Sequence, residues 1–347
     1  MLPVIWFWIV AVMVAVYVVL DGFDLGAGIV HLGVAKTDRE RRAVLRSIGP
    51  VWDGNEVWLL AAGGTLYFAF PPLYAAGFSG FYLPLMILLW LLILRGISVE
   101  FRNHLDNGVW KPLWDVVFCL ASGLVAIFFG AALGNVVRGV PLDQNGDFFL
   151  PLWTNWLPGP HPGILDWYTV LVGALAFLTL AQHGALWVAY KTEDSVHLRA
   201  RHVARMAWIG VAILTVAVTI ASFSIQPHLR ESFAAAPAGF LFPALALVGL
   251  LGIRIMITRG DEMKAFLSSC LFILGMLTSV VFGVFPMVLP AIPDSALSLT
   301  IHNASAPTYG LEVGLKWFVP GFLLATAYFV FLYRRFAGKV RLEDGGY

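Results

Sequence analysis

Charge is scarce in this chain. Aspartate, glutamate, lysine and arginine make up 12% of its 347 residues, about half the share of a soluble domain. With 59% hydrophobic residues and a mean hydropathy of +0.82, that scarcity excludes a water-soluble globular fold. It excludes disorder as well, which requires high charge. Two cysteines, Cys119 and Cys270, are too few for a disulfide scaffold. Both stand inside apolar runs, where they read as buried free thiols rather than metal ligands. The 34 glycines do not recur at every third position, so collagen is excluded. A net charge of +1 and a pI near 7.8 point to no nucleic-acid partner. What remains is an all-α polytopic membrane protein.

A helix needs roughly 20 apolar residues to cross the hydrocarbon core. On that measure the sequence predicts nine spans, near 4–28, 51–70, 74–98, 115–138, 163–190, 204–224, 238–257, 265–290 and 311–335. The start, Met1-Leu2-Pro3, lacks the basic segment of a signal peptide, and the run that follows is expected to stay as a membrane helix. Of the 22 basic residues, 19 fall in the first, third, fifth and seventh loops, at their helix margins, or in the C-terminal tail with Arg341. Arg138, Arg230 and Lys316 lie on the other side. By the positive-inside rule the N-terminus is expected outside and the C-terminus in the cytoplasm. Pro71, Pro141, Pro227 and Pro286 mark the outer ends of four spans. The proline-rich stretch 139–162 reads as an ordered outer loop with Trp153 and Trp156 at the interface.

Acids at membrane depth carry the chemistry, because an isolated charge there costs about 3 kcal/mol or more unless it is protonated, paired or wet. Asp21 and Asp24 lie three apart on one face of the first span, among Gly22, Gly26 and Gly28. Asp53 and Glu56 repeat the spacing where the second span begins, so four carboxyls are expected to converge near the inner surface. Two readings stand side by side. In one, Asp53 caps its helix and Asp21 and Asp24 pair with Arg39, Arg42 or Arg46. In the other, the cluster admits protons or cations. Arg95 either snorkels to the interface or neutralises one of the acids. The glycines at 26, 28 and 33 follow no strand, so they mark close helix packing rather than a dinucleotide loop. His183 lies within a span and reads as a hydrogen-bonded packing residue or a ligand. No pair of histidines has bis-histidine spacing and no Cys-x-x-Cys-His occurs, so the chain is expected to ligate no redox centre or metal.

The tandem of Asp21-Gly-Phe-Asp24-Leu-Gly and Trp52-Asp53-Gly-Asn55-Glu56-Val-Trp58 closely resembles subunit II of the cytochrome bd quinol oxidases, including their cyanide-insensitive branch. Gly63-Gly64, Tyr74 to Tyr82, Gly134-Asn135 with Gly139-Val-Pro141, and Phe285-Pro286-Met-Val-Leu-Pro290 extend the likeness along the chain. The resemblance implies a single membrane domain of two four-helix bundles, 1–138 and 163–290, with a ninth helix at 311–335. It implies a homologous partner, subunit I, carrying haems b558, b595 and d, in a bacterial cytoplasmic (inner) membrane complex that reduces oxygen to water with quinol electrons. Small single-helix accessory subunits and a structural quinone belong to some members. Asp24 and Asp53 match the positions assigned to a cytoplasmic proton route, with Arg95 near it, and Asp21 and Glu56 join them as candidates. Glu56 stands where some relatives have glutamine, and the region between spans six and seven is compact. Two other functions remain open: a scaffold that only stabilises the haem subunit, and an ion-coupled secondary transporter.

Overall fold

A computed structural model describes residues 1–340; the expected tail charge Arg341 lies outside the described residues. Among the described residues the chain is mainly helical, with a small two-stranded sheet and a long loop at 139–166. The helices are α1 (Leu2–Val34), α2 (Asp38–Ile48), α3 (Trp52–Ala69), α4 (Pro71–Gly80), α5 (Tyr82–Phe101), α6 (Trp110–Arg138), α7 (Trp167–Lys191), α8 (Asp194–Ile225), α9 (His228–Ala235), α10 (Leu241–Arg259), α11 (Glu262–Val284) and α12 (Thr308–Arg335). A 3-10 turn, Pro237–Phe240, leads into α10.

Eight helical stretches among the described residues are long and apolar enough to cross a membrane: α1, α5, α6, α7, α8, Pro237–Arg259, α11 and α12. They overlap eight of the nine expected spans. The remaining one, 51–70, is the 18-residue α3, which reaches about 27 Å at 1.5 Å per residue. Asp53, Asn55 and Glu56 in its first turns dilute its hydropathy. The expected span 74–98 is two helices, broken at Phe81. Pro84 accounts for the break, since its ring cannot share a turn with the carbonyl four residues back.

α1 is the axis of the molecule, packed against α3, α6, α7 and α11. Its contact with α7 is backbone on backbone: a Cβ on Gly26 would fall on the Leu180 carbonyl and the Gly184 main chain. The two glycines let the helices approach where hydrocarbon offers no solvent-driven association.

Each end of the bundle is tied by its own contacts. At the end rich in lysine and arginine, α2 lies across the helices with Val44, Leu45 and Ile48 buried, and Trp187 donates to the Ser47 carbonyl at 3.0 Å. Thr37 and Glu40 form a reciprocal cap at its start. Glu40 also accepts from Ser195 and Arg199 of α8, both at 2.6 Å. At the opposite end, Ala69 accepts from the Ala306 amide at 2.9 Å and Trp6 donates to the Leu311 carbonyl at 3.1 Å. The strands Met287–Leu289 and Leu299–Thr300 pair there, and Val140 bridges to Ala291. Buried Arg138 pairs with Asp166, which also caps α7 through Thr169. The motifs around Asn135, Gly139 and Pro286 thus build this end seal, and Gly139 takes a φ of +95° that suits glycine. Pro71, Pro141, Pro227 and Pro286 each follow a helix end within three residues, as expected. Trp153 and Trp156 pack edge to face in the loop 139–166 and are about half exposed.

Two outcomes follow. Gly26→Ala is expected to separate α1 from α7 and to cost about 1–3 kcal/mol as overpacking, read as a lower midpoint in thermal unfolding of the detergent-solubilised chain. Burial alone would raise the Glu40 carboxyl, but the bonds from Ser195, Arg199 and the Lys36 and Thr37 amides outweigh it and hold it at about 2. A carboxyl held below its ordinary 4.5 stabilises fully above that value and loses its contribution as pH falls toward 2. Proteolysis at the junction of α2 and α8 is therefore expected to rise across that window in the native chain and to be pH-independent there in Glu40→Gln.

Candidate functional site

Tyr17, Asp21, Asp24, Gly28 and His31 follow one another on α1 at alternating intervals of four and three, so they share one face. All five are buried. A polar stripe therefore runs down the most enclosed helix of the bundle, and its groups need partners from other helices.

Asp21 has a cation. Arg95 of α5 meets it with two guanidinium nitrogens at 2.9 and 2.5 Å, and both side chains are almost wholly enclosed. Of the two expectations for Arg95, neutralising an acid is the one observed. The guanidinium also lies over the Trp52 ring, 5.9 Å from its centroid. Neither Asp21 nor Asp24 pairs with Arg39 or Arg42.

Among the described residues Asp24 has no cation within ion-pair distance. One carboxylate oxygen accepts from the Asn55 amide of α3 at 2.7 Å, and the other is buried without a partner. Asn55 is fully enclosed; its carbonyl accepts from the Tyr333 hydroxyl of α12 at 2.8 Å and its amide reaches the Leu20 carbonyl at 3.3 Å. Asp21 cannot take a proton without giving up an ion pair, whereas the free oxygen of Asp24 can accept and release one with its neighbours in place.

Glu56 is half-buried and Asp53 is exposed, and neither forms a hydrogen bond or ion pair among the described residues. The four carboxyls therefore differ in burial. Asp21 and Asp24 are inside, Glu56 is at the margin and Asp53 is on the surface of α3. Asp53 makes no capping bond, Val51 being the cap position, but it stands in the first turn of α3, where the helix dipole favours an acid. Sequence reasoning passed over Asn55 as a bridge and missed Tyr333 entirely. The stripe spacing on α1 was a usable signal for Tyr17 and His31; nothing local marks Tyr333, which arrives from 278 residues away.

His183 is held within the chain, bonded to Ser269 at 2.6 Å and the Val19 carbonyl at 2.9 Å and stacked on Phe266. His31 bonds to Asp115, and His104, His197 and His228 bond to main-chain carbonyls. His161, His202 and His302 are exposed. Each of the eight histidines is thus either bonded within the chain or exposed. Among the described residues no group of three His, Cys, Asp or Glu side chains is placed to hold a metal ion. Cys119 and Cys270 are free and half-buried. An apolar cavity of about 330 Å³ adjoins the stripe at Tyr17, walled by Phe129, Tyr168 and Phe272.

Asp21 and Asp24 are expected to respond differently to loss of charge. Asp21→Ala leaves the enclosed guanidinium unpaired and should cost about 3–5 kcal/mol, whereas Asp24→Asn loses at most one hydrogen bond, about 1 kcal/mol. Thermal unfolding followed by tryptophan fluorescence separates the two.

The comparisons with known proteins agree with this architecture. A sequence model of cytochrome bd terminal oxidase subunit II matches residues 2–336. The chain is 30% identical to the cytochrome bd-I ubiquinol oxidase subunit 2 of Escherichia coli K12, over 98% of this chain and 95% of that one. It is also 30% identical to the cytochrome bd ubiquinol oxidase subunit 2 of Bacillus subtilis 168, over 89% and 88% of the two. In fold it is similar to a chain of the bd oxidase from Geobacillus thermodenitrificans, with a TM-score of 0.77 at 18% identity, covering 96% of this chain and 98% of that one. This is a multi-pass membrane protein, and the chain belongs to the cytochrome bd terminal oxidase subunit II family.

Proposed function

We propose that this chain is the haem-free subunit of a quinol:oxygen oxidoreductase and leads cytoplasmic protons toward an oxygen site in its partner. The observation that carries the reading is Asp24: an enclosed carboxyl with one oxygen free, next to a neutralised Asp21–Arg95 pair. Asp53, exposed on α3, is the entry or the point of contact with the partner, and Glu56 lies between it and the interior. Asn55 holds Asp24 in place and links it to α12 through Tyr333. Arg95 offsets the charge of Asp21, so that a proton on Asp24 need not be shared with a second free carboxylate.

In this reading haems b558, b595 and d belong to subunit I, and the buried His183 serves packing through its bonds to Ser269 and the Val19 carbonyl. All nine expected helices cross the membrane, α3 included, as bundles 1–138 and 163–290 with α12 added. The basic end faces the cytoplasm of a bacterial cell and the N-terminus faces outward. A heterodimer buries the polar start of α3, with single-helix accessory subunits at its rim. Reduction of oxygen with quinol electrons consumes inner protons and contributes to a proton gradient. The apolar cavity beside Tyr17 is one place in this chain able to take the tail of a structural quinone.

Co-expression with the adjacent polytopic subunit tests the reading. Asp24→Asn and Asp53→Asn are each expected to retain full haem content while oxygen consumption per haem falls roughly tenfold, about 1.4 kcal/mol in the barrier. Haem content falling in proportion to activity would instead make the chain a scaffold, and unchanged turnover would remove the acids from the route.

A further inference from the structure

A second polar centre lies two helical turns from Asp24 toward the basic end. Asp115 of α6 is fully enclosed and accepts from Arg102 Nε at 2.6 Å, Arg41 at 2.9 Å and His31 Nε2 at 2.7 Å. Arg102 continues to Asp38 at 2.8 Å, and Lys111 lies 4.0 Å from the same carboxylate. Asp38 and Arg41 are partly exposed, so the hub reaches solvent. Two guanidiniums keep Asp115 an acceptor, so the imidazole must present a proton at Nε2. Nδ1 is then a lone pair, and it is buried with no donor.

Two more unpartnered atoms follow on the same face. Ser122 of α6 is fully enclosed and its hydroxyl has no partner. It sits against Gly28, where a Cβ would collide with it, and so stands between Asp24 and His31 along α1. The third is the free oxygen of Asp24. Asp24 and His31 are about 10.5 Å apart along the axis, with Gly28 about 6 Å from the first and 4.5 Å from the second. A relay over these distances needs one or two waters in each gap at about 2.8 Å spacing. Leaving three polar atoms unsatisfied would cost about 1–3 kcal/mol each, and water between them removes that cost.

We propose that His31, oriented by Asp115, and the Ser122 hydroxyl form a water-linked proton relay from the basic end to Asp24. The inference rests on the reading of Asp24 as a proton carrier. A hydronium at the basic end gives a proton to His31 Nδ1 and is left as water, forming an imidazolium against the Asp115 carboxylate. The same nitrogen returns it to the next water, toward Ser122, and only N–H and O–H bonds are exchanged.

His31→Gln and Ser122→Ala test this in the co-expressed complex. The glutamine amide still donates to Asp115 but cannot carry a proton, and Ser122→Ala removes a hydroxyl that bonds to nothing. Both variants should assemble with full haem content. Proton uptake after an oxygen pulse, followed with a pH dye, should slow roughly tenfold in H31Q and about threefold in S122A, with a larger solvent isotope effect. H31Q added to Asp24→Asn should slow uptake no further. Wild-type uptake in both variants, beside a slowed Asp24→Asn, would overturn the relay and leave the parent reading intact; normal uptake in Asp24→Asn would remove both. Should H31Q fail to assemble, S122A decides alone, and wild-type uptake there overturns the relay.

Discussion

The ion pair between Asp21 and Arg95 is the constraint on which the site depends. Two carboxyls three residues apart on the most enclosed helix of a membrane protein would repel each other at short range, in a medium that screens little. Arg95 removes one of them from the problem, with both its contacts at hydrogen-bond distance. Asp24 is thereby left as the single buried acid of the pair without a cation, held only by the neutral amide of Asn55. The pair also fixes α5 to α1 across the start of α3, so the geometry of Asp24 follows from the same contact.

The hydrophobic runs were a sound guide to the helices because burial in lipid leaves each span to satisfy its own backbone. The amphipathic α2 was not read as an element, since its charged residues look like a basic loop until their 3.6-residue period is followed. The break at Phe81 was hidden in a long apolar stretch, although Pro84 marked it. At the site, spacing alone put Asp21 and Asp24 on one face. The same rule could not tell which acid Arg95 would meet, because α5 packs in a register set by the whole bundle. It also could not show that Asp53 points away while Asn55, two residues on, turns inward. Tyr333 depends on where α12 docks, a relation with no local trace.

A secondary transporter would place its ions at interrupted helices near the midplane. Here both acids lie on an unbroken α1, and the break between α4 and α5 carries no acid, histidine, lysine or arginine. The contrast between the two ends of the molecule points the same way. The seal around Arg138, Asp166 and Asn135 is closed by direct bonds, whereas Tyr17, Asp24, Ser122 and His31 each keep a buried polar atom without a partner.

Infrared difference spectroscopy of the assembled complex, reduced minus oxidised, reads the protonation of enclosed carboxyls directly. If Asp24 carries protons during turnover, a band from a protonated carboxyl should change between the two states, shift in heavy water and vanish in Asp24→Asn. A spectrum with no carboxyl change, or one identical in that variant, would contradict the account.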